Sequence, residues 1–244
     1  MKINSYKKKA NGQYEVSIGE KKISLHEDLI LKHDLLLKKE IEEAFLETLQ
    51  EENKKYYIYD EALKYLKVKM RSKKEMYSYL ESKEYKREDC KKVIEKLEKE
   101  KYIDDISYIR AFIHDRIHLS SDGPLKIKKD LEKKVNLKEE IEASLKIYTN
   151  ELEQERIEKL IKKAIKTNRN KSKKILRQKV YNDLSILGYN ATPINNELYL
   201  LDDVEEEDLK KKEYDKLYTK LSKKYSGREL ENKIKQKMYQ KGFY

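Results

Sequence analysis

The chain has 244 residues, of which 42% are charged and only 38% hydrophobic, with six Gly and two Pro. That composition excludes an all-β fold, and the net charge of +11 predicts attraction to a polyanion such as nucleic acid, an acidic protein groove or anionic lipid. One cysteine excludes an intramolecular disulfide framework, and no apolar run reaches the roughly 20 residues of a membrane span. The N-terminus also lacks a signal peptide's apolar core, so a cytoplasmic protein is expected.

Period-2 patterning opens the chain. Tyr14, Val16 and Ile18 alternate, as do Ile23 and Leu25, with turn dipeptides at Asn11-Gly12 and Gly19-Glu20. A small β-hairpin or three-stranded meander is expected there, packed on the first helices. From His26 onward the pattern is helical almost to the end.

The helical part repeats itself. Ser172, Leu176, Val180, Leu184, Gly188 and Tyr189 correspond in order to Ser226, Leu230, Ile234, Met238, Gly242 and Phe243, every pair separated by the same interval. A stripe at i, i+4 and i+8, opened by Ser and closed by Gly-aromatic, is a complete helix signature. Looser copies lie upstream, with Ser72, Met76, Leu80 and Tyr85 in one and Ile127, Leu131 and Val135 in the other. Pro124 sits where a first helical turn accepts it. Ser72-x-x-Glu75 and Ser226-x-x-Glu229 both read as capping boxes.

A period of about 50 residues with three helices per unit predicts a mainly α fold. It is read as an elongated array of tandem three-helix repeats, about three and a half units, behind a small N-terminal β-hairpin or meander. The divisions are residues 1–50 for the β segment and short helices, then repeats at 54–102, 103–149 and 150–200. An incomplete fourth occupies 201–244. In the second unit, helices are expected over 104–118, 124–134 and 137–148.

Asp104-Asp105 and Asp202-Asp203 are the obvious candidates for a carboxylate site. Adjacent residues on a helix point about 100° apart, however, and both pairs stand where one unit ends and the next begins. They are expected to be helix caps. His114 and His118 have metal-ligand spacing, but no third ligand is placed nearby. Cys90 falls in helical register with Val93, Ile94 and Leu97, as a core side chain would. No triad or phosphate loop is visible, so neither enzyme activity nor a cofactor is expected.

Positive charge collects at the start of the second helix of every unit. Lys69, Arg71, Lys73 and Lys74 do so in the first, and Lys126, Lys128 and Lys129 in the second, with Arg116 on the preceding helix counted in the same stripe. Arg169, Lys171, Lys173, Lys174 and Arg177 mark the third, and Arg228 and Lys233 the fourth. In a curved array these would draw a basic stripe along one side, a candidate partner- or DNA-binding surface.

The repeats resemble the RecX family of bacterial recombination regulators. The resemblance rests on Leu66, Arg71-Ser72-x-x-Glu75-Met76, Leu80 and Tyr85, on Tyr102-Ile103-Asp104-Asp105 with Tyr108, Phe112 and Arg116, and on Gly123-Pro124 with Lys126, Ile127 and Leu131. The N-terminal β segment is similar to that of the longer members from low-GC Gram-positive bacteria. Glu84 stands where the family usually has Gly, the Gly before Val135 is missing, Ile109 replaces Ala, and Lys69 and Lys126 replace Arg. The resemblance implies a monomer with no cofactor that binds the RecA filament on single-stranded DNA. It further implies restraint of ATPase and strand exchange, within recombination, DNA repair and the SOS response. A stand-alone nucleic-acid-binding helical protein and a plain protein scaffold are the alternatives.

Overall fold

The computed structural model describes residues 1–9 and 12–243, so Asn11 of the expected first turn lies outside the described residues. Strands β1 (Ile3–Lys8), β2 (Gln13–Ile18) and β3 (Lys21–His26) form an antiparallel meander in that order. Gly19 takes the left-handed conformation that a two-residue hairpin needs between β2 and β3. Val16, Ile18 and Leu25 form the buried face, closed by Leu29 and Ile30 of α1 (Glu27–Lys32) and by Leu46 and Leu49 of α2 (Glu43–Leu66).

Helix α2 continues unbroken through residues 50–54 and serves two cores. Between them sits Asn53, almost fully buried. Its carboxamide accepts from the His26 amide (2.8 Å) and donates to the Ser24 carbonyl (2.8 Å). A buried amide is tolerable only when satisfied in this way, and here it ties the edge strand to the helix.

Two compact units make up the chain. The first comprises Met1–Tyr108 and Lys134–Asn136. Its helical repeat joins the end of α2 to α3 (Lys73–Glu81) and α4 (Arg87–Lys99), with Ile58, Met76, Leu80, Val93, Ile94 and Leu97 in one core. Cys90 is buried in that core, as its register predicts.

The second unit comprises Ile109–Lys133 and the chain from Leu137 onward. Helix α5 (Asp105–Leu119) crosses from the first unit into the second. Helices α6 (Pro124–Glu132), α7 (Lys138–Leu145) and α8 (Asn150–Thr167) follow. Next come α9 (Lys173–Ile186) and α10 (Ala191–Glu197), which leads into a 3-10 turn at Leu198–Leu201. The described elements end with α11 (Glu207–Leu221) and α12 (Gly227–Gln240). The stripes Leu176/Val180/Leu184 and Leu230/Ile234/Met238 are buried, and Pro124 opens α6. The fold is therefore a tandem series of three-helix repeats behind a small β-sheet.

One expected cap is absent. Ser226 makes no side-chain bond into α12, because Gly227 turns left-handed at the first helical position and carries Ser226 away from the first-turn amides. The Gly-aromatic ends behave as the sequence predicts. Gly188 and Gly242 are left-handed, and the next amides reach back into their helices, Tyr189 to the Leu184 carbonyl (3.1 Å) and Phe243 to that of Met238 (3.0 Å). Glu84 adopts the same left-handed conformation without being glycine, at a strain cost of about 1 kcal/mol.

Gly188 has a second duty, since a Cβ there would strike the backbone of Lys126. Gly188→Ala is expected to destabilise by about 3 kcal/mol, through conformation and clash together. Gly19→Ala, equally left-handed but facing open space, should cost about 1 kcal/mol. Thermal or urea unfolding of the two variants checks the difference.

Candidate nucleoprotein interface

The basic clusters lie at a joint that recurs along the sequence. In the first unit Ser72, fully buried, caps α3. Its hydroxyl accepts from the Glu75 amide (3.1 Å) and donates to the Lys134 carbonyl (2.6 Å). Glu75 completes the box on the Ser72 amide (3.2 Å) and takes the Lys134 ammonium at 2.6 Å. In the second unit Ser172 does the same for α9, accepting from the Ile175 amide (3.4 Å) and donating to the Lys241 carbonyl (2.7 Å). Where the capping residue is Gly123, the backbones meet directly. The Gly123 amide donates to the Leu187 carbonyl (2.7 Å), and an added Cβ would sit 2.6 Å from the carbonyl carbon of Gly188. In every case the donor-rich start of one second helix receives a carbonyl from the end of the next, which satisfies orphan groups of both.

The aspartates belong to this joint. Asp104 caps α5, accepting from the Ile106 amide (2.9 Å) and the Ser107 hydroxyl (2.6 Å). Asp105 turns away and accepts from the Lys73 amide (2.8 Å) at the start of α3. Burial raises its pKa, opposed by that amide and the Lys73 charge. In the second unit Glu206 performs the equivalent service for the Lys173 amide (2.6 Å). Asp202 and Asp203 are therefore not the caps of α11. Asp202 ends the 3-10 turn instead, its carbonyl holding Lys173 (2.7 Å) and its carboxylate Arg177 (3.2 Å). The intervening residues to Glu206 set the pair too far upstream of the helix.

The structure divides the basic residues into tied and untied groups. Lys73 is paired with Glu98. Arg116 holds Asp122 (3.0 Å) and Asp130 (3.8 Å), Lys126 holds Asp122 (2.7 Å), and Lys128 holds Glu142 (2.6 Å). Burial would raise the Asp122 pKa, but Lys126 and Arg116 carry it below the usual carboxylate range. Arg71 lies on the Tyr65 ring (3.9 Å), which stacks on Tyr79 (3.8 Å). Lys174 lies over Tyr239 (5.3 Å) and Lys233 near Tyr225 (5.9 Å). Among the described residues, Lys69, Lys74, Lys129, Arg169, Lys171 and Arg228 have no ion pair, and all but the half-exposed Lys171 are exposed.

A further cluster carries no sequence signal because it comes from three helices. Lys32, Lys55, Lys92 and Lys96, with Glu52 paired to Lys32 (3.1 Å), surround Tyr56 and Tyr59 in a cleft of about 240 Å³ in the first unit. His114 and His118 bring their rings within 4.2 Å on an exposed face. No group of three His, Cys, Asp or Glu suited to a metal forms among the described residues.

A family model described as "RecX, first three-helix domain" matches residues 59–97, the end of α2 with α3 and α4. A "Regulatory protein RecX" of Bacillus pumilus is 30% identical over 219 residues, covering 88% of this chain and 83% of that protein. The chain belongs to the RecX family. Another "Regulatory protein RecX", from Oceanobacillus iheyensis, is 29% identical over 90% of this chain and 82% of its own length. A solved RecX regulatory protein shares the fold, with a TM-score of 0.68 and 23% identity over 80% of this chain and 98% of its own. These RecX relatives are described as regulatory proteins. No helix among the described residues is long and apolar enough to cross a membrane.

The Glu75 carboxyl gives the joint a pH signature. Burial alone would raise its pKa, but the Lys134 ammonium and the Ser72 amide outweigh it and hold the value below the ordinary range. A depressed carboxylate contributes stability above its unfolded pKa and loses it as pH falls through the folded one. Glu75→Gln should cost about 1–2 kcal/mol at neutral pH. Its stability should converge with that of the parent below the usual glutamate range, as urea titrations at pH 7 and pH 3 would show.

Proposed function

We propose that this chain is a modulator of the RecA recombinase that binds the filament RecA forms on single-stranded DNA in the cytoplasm and restrains its ATPase and strand exchange. Membership of the RecX family supports the reading. The observation that carries it is the untied set Lys69, Lys74, Lys129, Arg169, Lys171 and Arg228, which leaves cations for a polyanionic partner near the starts of second helices. The cations Lys73, Arg116, Lys126, Lys128, Lys173 and Arg177 are engaged by carboxylates or a carbonyl, and the aromatic-backed Arg71 and Lys233 would add stacking or phosphate contacts.

The protein performs no chemistry of its own in this reading. It shifts the filament between conformations through differential affinity, which is all that a ligand can do to such an equilibrium. It acts as a monomer. A second reading, stand-alone binding of single-stranded nucleic acid, is favoured by the tyrosine-lysine cleft, since aromatic rings ringed by lysines suit stacked bases and phosphates.

The readings separate when purified protein is added to RecA pre-assembled on single-stranded DNA and ATP hydrolysis is followed. Inhibition at stoichiometric protein is expected, and it should weaken about tenfold or more when Lys74, Arg169 and Arg228 are together replaced by Glu. Tight, steeply salt-dependent binding to naked DNA with no effect on hydrolysis would favour the second reading.

A further inference from the structure

The first repeat packs its third helix against the other two. Helix α4 buries Cys90, Val93, Ile94 and Leu97 against Met76 and Leu80 of α3 and Ile58 and Ala62 of α2. Helices α11 and α12 form a two-helix core, and the described residues supply no third helix to it. An apolar groove of about 620 Å³ runs between them instead, floored by Ile234, Met238 and Phe243 and walled by Tyr214 and Tyr239. Both tyrosines are exposed, 44% and 61%, and present aromatic surface beside the apolar floor.

Register identifies what the groove lacks. Counted from the ends of their helices at Leu66 and Leu221, Tyr59 and Tyr214 hold the same place. Aligned on Leu80 and Met238, Lys73 matches Glu231 and Tyr77 matches Lys235. In the first repeat two of these positions face the third helix: the Tyr59 ring lies under Lys96 of α4 (4.1 Å), and Lys73 pairs with Glu98 of α4, a place where Glu231 reverses the charge. The groove is the same seat with no helix in it.

Charge specifies the occupant. Lys210, Lys211 and Lys235 line the groove with Glu207 and Glu231, a net positive rim. Among the described residues Lys211 and Lys235 are exposed and have no ion pair. We propose that the groove between α11 and α12 docks an amphipathic helix of a partner protein, one with apolar residues in the spacing of α4 and acidic residues flanking them. Such helix-in-groove recognition takes its affinity from the apolar stripe and its choice of partner from the rim.

The experiment uses the full chain and two fluorescent helical peptides of identical apolar spacing, one flanked by Glu and the other by Lys, followed by anisotropy. The Glu-flanked peptide should bind saturably and about tenfold more tightly than its twin. Lys211→Glu with Lys235→Glu should abolish or reverse that preference while leaving the melting transition in place, since both side chains are exposed. Equal binding of the two peptides, no binding of either, or indifference to the rim variant would overturn the proposal. So would a dimer in sedimentation that the rim variant disperses, because the occupant would then be a second copy of the chain.

Discussion

A single joint organises the helical part: the start of a second helix receives a backbone carbonyl from the end of the next one. Helix ends are the weak points of an array of short helices, because each leaves four amides or four carbonyls without partners. Placing one kind of end on the other settles both debts without long side chains and aligns the positive end of one dipole with the negative end of another. Ser72 and Ser172 do this through a hydroxyl that accepts and donates at once, and Gly123 does it by direct backbone approach. The close contact explains why small residues stand at these positions and why Gly188 and Gly242 face them.

The acidic residues follow from the same constraint. Once a second helix is set against its neighbour, its first amide still needs an acceptor, and a carboxylate at the beginning of the following first helix supplies it. Asp105 and Glu206 both do this, across different spacings in the sequence. A pair of adjacent carboxylates with the look of a catalytic dyad is thereby committed to backbone amides. Cations gather around the same joints, where many neutralise structural carboxylates and a smaller set makes no ion pair among the described residues.

Much of this was legible in the sequence. The i, i+4, i+8 stripes with Ser before and Gly-aromatic after located α9 and α12, and the alternation of Tyr14, Val16 and Ile18 located a strand, because local periodicity follows directly from burial. The joint was not legible, since the partners of Ser72 and Ser172 are backbone carbonyls, which leave no mark in side-chain identity. Side-chain identity does not separate Asp202 from Glu206 either, because the amide that Glu206 accepts from belongs to Lys173 on another helix. Nor could sequence distinguish Lys126, bound to Asp122, from Lys129 three residues on, since pairing depends on which side of the helix meets an acid. Arg156, whose guanidinium donates to the Ser120 carbonyl (2.6 Å) after α5, was lost among many charges for the same reason.

The most direct test of the joint is to compare the stabilities of three serine variants by urea unfolding. Ser72→Ala and Ser172→Ala remove both a cap and the donor to a carbonyl, and each should cost about 2–3 kcal/mol. Ser226→Ala, at a matching place in the sequence but without a side-chain cap bond, should change stability by less than about 0.5 kcal/mol. Equal losses at all three positions, or negligible losses at Ser72 and Ser172, would contradict the account.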